Sequence, residues 1–290
     1  MLGQDLAAVL RPSHDILALD HRACDISDET ALRRVFCEWR PKLVVNCAAF
    51  TDVDACESEP ERAFAVNARG AGNVARAAEQ AGGRVFYIST DYVFDGGKRE
   101  PYCEDDPTHP ISVYGQSKLE GERQTFGTNG GGSNGSGAGH AVIRTAWLYG
   151  SHRRNFADNI LAQALAPEPP ERKIVAVADQ VSSPTWTLHL ARKIAELAGA
   201  AAHGVLHVVN TGACTRQEMA QAIVDHLRVP VSVGATYWAT LNRPAPRPAY
   251  SVLACSRLAE LGLASLPPWR EALEEYLRSR RIQSVAGERP

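Results

Sequence analysis

The stretch Arg84-Val-Phe-Tyr-Ile-Ser-Thr-Asp-Tyr-Val-Phe-Asp-Gly96 contains an apolar run that passes directly into a polar loop. The run Val85–Ile88 predicts a buried β-strand, and Ser89 and Thr90 follow at its carboxyl end. In an open parallel sheet, ligands bind in the crevice outside the carboxyl ends of the strands. We therefore expect a hydroxyl of Ser89 or Thr90 to donate a hydrogen bond there to a carbonyl oxygen that gains charge.

Other apolar runs alternate with helical patterns along the first half of the chain. Strands are predicted at Ile16–Leu19, Leu43–Val45 and Ala141–Ile143, and helices at Asp28–Trp39, Pro60–Ala81 and Tyr114–Gln124. Strands separated by helices favour an α/β fold with a Rossmann-like, doubly wound parallel sheet, here over residues 1–150. The Gly/Ser/Asn-rich segment Gly127–Gly139 predicts a flexible surface insertion in this part.

The alternation loosens after Gly150. Strands are predicted at Ile174–Val177 and Leu206–Val209, and helices at Asn155–Leu165, Leu188–Leu197, Thr215–Leu227 and Pro268–Arg278. These elements predict a smaller α/β lobe over residues 151–290, which we interpret as mainly a substrate-binding lobe.

Composition excludes several classes of protein. The net charge of −2 gives no broad attraction to nucleic acid or to an anionic membrane. No apolar run approaches the roughly 18 residues of a membrane span, and the N-terminus lacks the pattern of a signal peptide. The seven cysteines are odd in number and have no C-x-x-C spacing, which argues against a disulfide framework or a zinc site. We expect a cytoplasmic protein without a structural metal.

The segment Tyr114-Gly-Gln-Ser-Lys118 places a tyrosine and a lysine four residues apart, on one face of a predicted helix. A nearby ammonium favours the phenolate form of tyrosine, whose ordinary pKa is about 10. Such a pair can supply the proton in a carbonyl reduction. A Y-x-x-x-K spacing alone is weak evidence, and it gains weight from the Ser89–Thr90 crevice upstream.

Together, these two stretches resemble the extended short-chain dehydrogenase/reductase superfamily and, within it, the dTDP-4-dehydrorhamnose reductases. Further segments of the same pattern recur in family order over nearly the whole chain: Asn46–Asp54, Glu57–Pro60, Val66–Ala68, Arg144–Tyr149, Asn155–Phe156, Asp179–Gln180, Pro184–Thr185 and Arg247–Pro248. The set is far more specific than any one of its motifs.

The resemblance implies roles for individual residues. Tyr114 would be the general acid, Lys118 its electrostatic partner and ribose ligand, and Thr90 the hydrogen-bond donor to the carbonyl. Cofactor-binding residues would be Gly3, Asp20, Asp25, Ile26, Ala48, Ala49, Tyr114 and Lys118. Substrate-binding residues would be Asp91, Tyr92, Trp147 and Arg247, with the indole of Trp147 against the hexose ring.

The expected activity is NADPH-dependent reduction of the C4 keto group of dTDP-4-dehydro-L-rhamnose. An acid such as Asp20 favours binding of NAD, and a nearby arginine such as Arg22 favours NADP, so these residues do not decide between NADH and NADPH. The resemblance favours NADPH. The resemblance also implies a homodimer and Mg²⁺, for which the sequence indicates no ligands. The alternatives are another nucleotide-sugar reductase or epimerase of this superfamily, or a non-catalytic regulatory subunit resembling the β subunit of methionine adenosyltransferase.

The chain departs from the family pattern at its start. The family opens with a strand and a G-x-x-G-x-x-G turn that holds a pyrophosphate at a helix N-terminus. Here Gly3 falls where the last glycine of that turn belongs, and Gln4–Leu10 reads as the first helix. The predicted sheet therefore lacks its first strand, and the two earlier glycines of the turn are absent. Two explanations compete: a start within a longer natural protein, which we favour, and a true short form that binds the cofactor poorly.

Overall fold

The computed structural model describes residues 1–127, 139–166, 173–200 and 202–280. The centre of the fold is a parallel sheet of four strands in the order Leu43–Asn46, Arg84–Thr90, Ala141–Thr145 and Gly204–His207. The predicted insertion Gly127–Gly139 lies outside the described residues except at its two ends.

Alternate residues of the strand Arg84–Thr90 serve two apolar layers. Phe86 and Ile88 pack under one set of helices, while Val85 and Tyr87 pack under the other. Helices on the first face are Leu2–Leu10, Thr187–Gly199 and Ser256–Glu260, and helices on the second are Glu29–Trp39, Ala71–Gln80 and Val113–Phe126. Coverage of both faces confirms the predicted doubly wound α/β fold.

Side-chain caps fix where several helices begin. Asp28 accepts hydrogen bonds from the backbone N–H groups of Thr30 and Ala31. Ser112 caps the helix Val113–Phe126 in the same way. The helices Phe156–Ala164 and Arg216–Leu227 each begin with a capping box.

The prediction of a strand at Ile16–Leu19 is wrong. Leu43–Asn46 pairs only on its Arg84–Thr90 side, and within the described residues no neighbouring strand supplies ladder partners for Ile16–Leu19. Leu17 and Leu19 are each 42 % exposed. An apolar run becomes a strand only where another strand satisfies its backbone groups.

The predicted single helix Pro60–Ala81 is also wrong as one continuous element. It divides into Pro60–Phe64, a π-helical turn Ala65–Gly70 and Ala71–Gln80. The turn lies where Asn67 reaches across to the loop after the first strand and to the helix Val113–Phe126. Such π-helical turns often mark functional sites.

The second half builds a smaller α/β unit and also extends the central sheet. The predicted strand Leu206–Val209 forms as Gly204–His207 and joins that sheet. The remaining strands form pairs: Lys173–Val177 with Ser232–Thr236, Leu148–Tyr149 with Thr185–Trp186, Val181–Ser182 with Cys214–Thr215, and Asn210–Thr211 with Leu266–Pro268. The helices Phe156–Ala164, Arg216–Leu227 and Trp269–Ser279 pack around a core of their own. Shorter helices are Val53–Ser58, Asp91–Val93 and Trp238–Thr240.

Candidate active site

The site lies where the strand Arg84–Thr90 ends and the helix Val113–Phe126 begins. Thr90 ends the strand, is buried, and caps the short helix Asp91–Val93 by accepting from the backbone N–H of Tyr92. The start of the longer helix is held by Glu57, whose carboxylate accepts from the N–H of Val113 at 2.9 Å. The crevice predicted at the carboxyl end of this strand therefore has a fixed wall.

Tyr114 lies on the first turn of that helix, partly buried, with the ring of Tyr92 against it edge to face at 5.6 Å. Burial raises the pKa of its phenol well above the ordinary value. The hydroxyl of Thr90 interacts with the phenol and favours the phenolate, which offsets part of that shift. Thr90 and Tyr114 thus come together, and near neutral pH Tyr114 carries its proton.

Lys118 follows one turn later and is 1 % exposed. Its Nζ donates to the carbonyl of Ile88 at 2.6 Å and lies 3.9 Å from the centre of the Tyr87 ring. Burial lowers the pKa of Lys118 to about 7, although the charge of Glu122 raises it. The Nζ atom of Lys118 is thus bonded to the backbone of Ile88. Among the described residues, it makes no hydrogen bond to Tyr114, one turn earlier on the same helix.

Ser89 points away from this crevice. Its hydroxyl donates to Glu122 at 2.5 Å, and Glu122 also accepts two hydrogen bonds from Arg144, at 3.0 and 2.7 Å. All three side chains are buried. Successive residues of a strand face opposite sides of the sheet, so only Thr90 of the two candidate hydroxyls can serve the site.

Asp91, predicted to bind substrate, has a buried carboxylate surrounded by hydroxyl groups. It accepts from Thr90 at 3.1 Å, from Ser182 at 3.1 Å and from Ser251 at 2.5 Å. Burial raises its pKa to about 6, and the hydroxyl donors limit the shift. This network joins the end of the strand Arg84–Thr90 to two segments of the second half.

The loop after the strand Leu43–Asn46 forms a second wall. The Oδ1 atom of Asn46 accepts from the N–H of Ala48 at 3.1 Å, while its buried Nδ2 atom has no partner among the described residues. Ala48 is exposed and Ala49 is partly buried. An orphaned buried donor beside small exposed residues is suited to a polar ligand.

Asn67 fixes the far end of that loop. It exchanges two hydrogen bonds with the backbone of Phe50 and donates a third to Ser117 on the helix that carries Tyr114 and Lys118. The loop and the helix Val113–Phe126 are therefore tied together. The sequence contained this residue in its Val66–Ala68 motif, without showing its partners.

The other predicted cofactor residues lie on different segments from Thr90 and Tyr114: Gly3 is in the helix Leu2–Leu10, and Asp20, Asp25 and Ile26 precede the helix Glu29–Trp39. Gly3 packs beside Cys47, next to Ala48. Asp20 is exposed, and its carboxylate accepts from the N–H groups of Arg22 and Ala23. Asp25 accepts from Ser27, which lowers the pKa of Asp25. Ile26 packs tightly against Gly70 of the π-helical turn.

Two predicted substrate residues have structural partners already. The guanidinium of Arg247 forms two hydrogen bonds with Asp54, at 3.1 and 3.2 Å, and Arg243 binds the same carboxylate. Trp147 has a positive φ of 43°, which is uncommon for a residue with a side chain, and the guanidinium of Arg216 stacks 3.6 Å from its ring centre. Sequence reasoning missed Arg216, because nothing in its local pattern indicates a ligand.

Two wider properties follow from the described ranges. No three His, Cys, Asp or Glu side chains within them are grouped as metal ligands. No helix within them combines the length and apolar character needed to cross a bilayer.

Comparisons with known proteins identify the family of the chain. The RmlD substrate binding domain family matches residues 1–282. The chain belongs to the RmlD family. It is 41 % identical over 282 residues to a dTDP-4-dehydrorhamnose reductase of Streptomyces griseus, covering 95 % of this chain and 89 % of that protein.

Two further RmlD relatives bear on cofactor and substrate. A crystal structure of a Bacillus anthracis dTDP-4-dehydrorhamnose reductase in complex with NADP superposes with a TM-score of 0.89 at 34 % identity, covering 96 % of this chain and 95 % of that one. A probable dTDP-4,6-dihydroxy-2-methyloxan-3-one 4-ketoreductase of Streptomyces antibioticus is 39 % identical over 281 residues, covering 95 % of this chain and 90 % of that protein.

Proposed function

We propose that this protein reduces the C4 keto group of dTDP-4-dehydro-L-rhamnose with NADPH to give dTDP-L-rhamnose. The observation that carries the proposal is the meeting of Thr90 and Tyr114 at the carboxyl end of a central strand, with buried Lys118 one turn away. Relatives named dTDP-4-dehydrorhamnose reductase support the same activity.

Tyr114 is the general acid in this reaction. Because burial raises its pKa, the phenol is protonated near neutral pH. Its proton passes to the C4 oxygen as that oxygen gains negative charge and becomes a stronger base than the phenolate. Thr90, whose hydroxyl donates to Asp91 in this structure, turns its proton to the same oxygen as that oxygen gains negative charge. When bound, NADPH supplies the hydride to C4, so the keto group gains one hydride and one proton and becomes an alcohol.

The described residues fit such a cofactor at two places. Asn46 offers an amide donor that has no partner among the described residues, beside the exposed Ala48 and the partly buried Ala49. Lys118 offers an ammonium whose present acceptor is a backbone carbonyl. We assign Gly3, Asp20, Asp25 and Ile26 to the dinucleotide by resemblance.

A second candidate activity is reduction of a different dTDP-keto sugar. The Streptomyces antibioticus relative is favoured as a guide here because its identity, 39 %, is close to that of the named rhamnose reductase. Thr90, Tyr114 and Lys118 serve either keto sugar, so the two activities differ in how the hexose is held. A regulatory subunit without catalysis has no specific observation in its favour.

A turnover assay tests these alternatives. The protein is incubated with NADPH and either dTDP-4-dehydro-L-rhamnose or the dTDP-4,6-dihydroxy-2-methyloxan-3-one named for the Streptomyces antibioticus relative, and NADPH consumption and product stereochemistry are followed. Faster turnover of the first sugar is expected. Preference for the second would favour the alternative reductase, and failure to consume NADPH with both would contradict a reductase function.

We expect the enzyme to act as a cytoplasmic homodimer. All seven cysteines are free thiols, as in proteins of a reducing compartment. The Mg²⁺ implied by resemblance finds no ligand group within the described residues. Activity in the presence of a chelator tests that point.

A further inference from the structure

Arg216 is held rigidly by two aromatic rings. It is the first residue of the helix Arg216–Leu227, partly buried, and its guanidinium carbon lies 3.6 Å from the ring centre of Trp147 and 4.9 Å from that of Phe156. Stacking of a guanidinium on aromatic faces is favourable and fixes the plane of its donors. The side chain is therefore pre-organised without any acid.

The charge of Arg216 is not neutralised. Within the described ranges, no carboxylate lies at ion-pair distance from its guanidinium, and no hydrogen bond is made by it. Burial lowers the pKa of Arg216 to about 10, so it stays charged near neutral pH. The positive end of its own helix opposes the charge further.

Neighbouring residues do not supply a negative charge that pairs with Arg216. Arg247 lies near enough to lower the pKa of Arg216, and the one carboxylate of Asp54 already binds both Arg247 and Arg243. Asp91 attracts Arg216 from a distance while its oxygens accept from three hydroxyls. Three arginines therefore face two carboxylates here, and this cluster carries an excess of positive charge.

The location indicates which anion would neutralise it. Cys214–Thr215, directly before Arg216, pairs with Val181–Ser182, whose Ser182 hydrogen-bonds Asp91 next to Thr90. Arg216 also acts electrostatically on Tyr92, whose ring touches Tyr114. Arg216 therefore lies near Tyr92 and the Asp91 network, among segments of the second half, whereas the Asn46–Ala49 loop belongs to the first half.

We propose that Arg216 binds the diphosphate of the sugar nucleotide. This inference rests on the proposed function, whose substrate carries two negative charges on that group. A planar guanidinium donates two parallel hydrogen bonds to phosphate oxygens. Arg247 instead uses both terminal nitrogens of its guanidinium on Asp54 and so ties its own segment to the helix Val53–Ser58.

The test is direct binding, measured by calorimetric titration of the full chain with dTDP, thymidine and NADPH. Arg216→Met should bind dTDP roughly 10- to 100-fold more weakly, as expected for losing hydrogen bonds to a charged group. Thymidine and NADPH affinities should stay unchanged, since neither meets Arg216. Arg216→Lys keeps the charge but loses the fork, and should fall between.

The matched control is Arg270→Met, because Arg270 also stacks on a tryptophan, Trp269 at 4.5 Å, but is exposed. It should bind dTDP as the wild type does. Equal dTDP affinity in wild type, Arg216→Met and Arg216→Lys would overturn the inference, and so would an equal loss of thymidine and dTDP binding. Absence of dTDP binding by the wild-type protein would instead contradict the proposed function itself. If Arg216→Met does not fold, the dTDP affinity of Arg216→Lys relative to the wild type tests the inference instead.

Discussion

The hydroxyl of Thr90 donates to the buried carboxylate of its neighbour Asp91 at 3.1 Å. Asp91 in turn accepts from Ser182 and Ser251 of the second half. The proposed carbonyl donor is thus held by a carboxylate that is itself costly to bury. Burial raises the pKa of Asp91 to about 6, although the three hydroxyl donors oppose the shift.

The first prediction concerns pH and stability through Asp91. Because its folded pKa is raised from 3.8 to about 6, the unfolded chain loses this proton first, and stability falls as the pH rises through that window. The loss amounts to about 3 kcal/mol at most, at about 1.4 kcal/mol per pKa unit. Asp91→Asn should flatten this part of the curve, measured by urea unfolding at several pH values. The exposed Asp225→Asn serves as control, and an unchanged curve in Asp91→Asn would contradict the assignment.

The second prediction concerns Tyr114→Phe, which removes one hydroxyl and almost no volume. Turnover should fall about 10²- to 10⁴-fold, because general acid catalysis is of that size. Thermal stability should stay near the wild-type value. Tyr237→Phe, at a 59 % exposed position, should leave turnover unchanged. Retention of more than about a tenth of the activity by Tyr114→Phe would remove Tyr114 as the acid.

Much of the fold could be predicted because it depends on local signals. The strand at Val85–Ile88 is a continuous apolar run, and the helix after Asp28 begins at its side-chain cap. The strand prediction at Ile16–Leu19 was wrong because a strand depends on its neighbours, and local pattern does not report them. The π-helical turn at Ala65–Gly70 was missed for a similar reason, since the bonds of Asn67 reach distant segments.

The candidate site divides in the same way. Tyr114 and Lys118 are recognisable from their spacing on one helix, and Thr90 from its place after a strand. The sequence did not separate Thr90 from Ser89, whose partner Glu122 is known only from the folded structure. Arg216 could not be identified either. The sequence does not show that its guanidinium stacks on Trp147, nor that no carboxylate among the described residues forms an ion pair with it.

The third prediction concerns the buried ion pair of Glu122 and Arg144. Glu122→Gln should lower the free energy of unfolding by about 3–5 kcal/mol, because it leaves the buried charge of Arg144 uncompensated. Glu120→Gln on the same helix should cost about 1 kcal/mol or less, since its ion pair with Arg123 is near the surface. Adding Arg144→Met to Glu122→Gln should restore part of the stability, as measured by urea unfolding. A double variant that is less stable than Glu122→Gln would argue against an ion-pair origin.

The fourth prediction concerns Lys118→Met, and its pH dependence has the opposite sign to that of Asp91. Burial lowers the pKa of Lys118 from 10.5 to about 7, so between these values the unfolded chain holds a proton that the folded chain releases. Wild-type stability should therefore rise with pH across that window, and the cost of the buried ammonium, a few kcal/mol, should be fully present below about pH 7.

Lys118→Met removes this cost while keeping an unbranched chain over the Tyr87 ring. Its melting temperature should exceed that of the wild type at neutral pH, with the difference shrinking as the pH approaches about 10. Turnover should be lost at the same time, together with NADPH affinity, if the ammonium holds the ribose. Lys42→Met, at an exposed position, should change none of these quantities. A Lys118→Met protein that is less stable than the wild type at every pH would show that the bond to Ile88 outweighs the cost of burial.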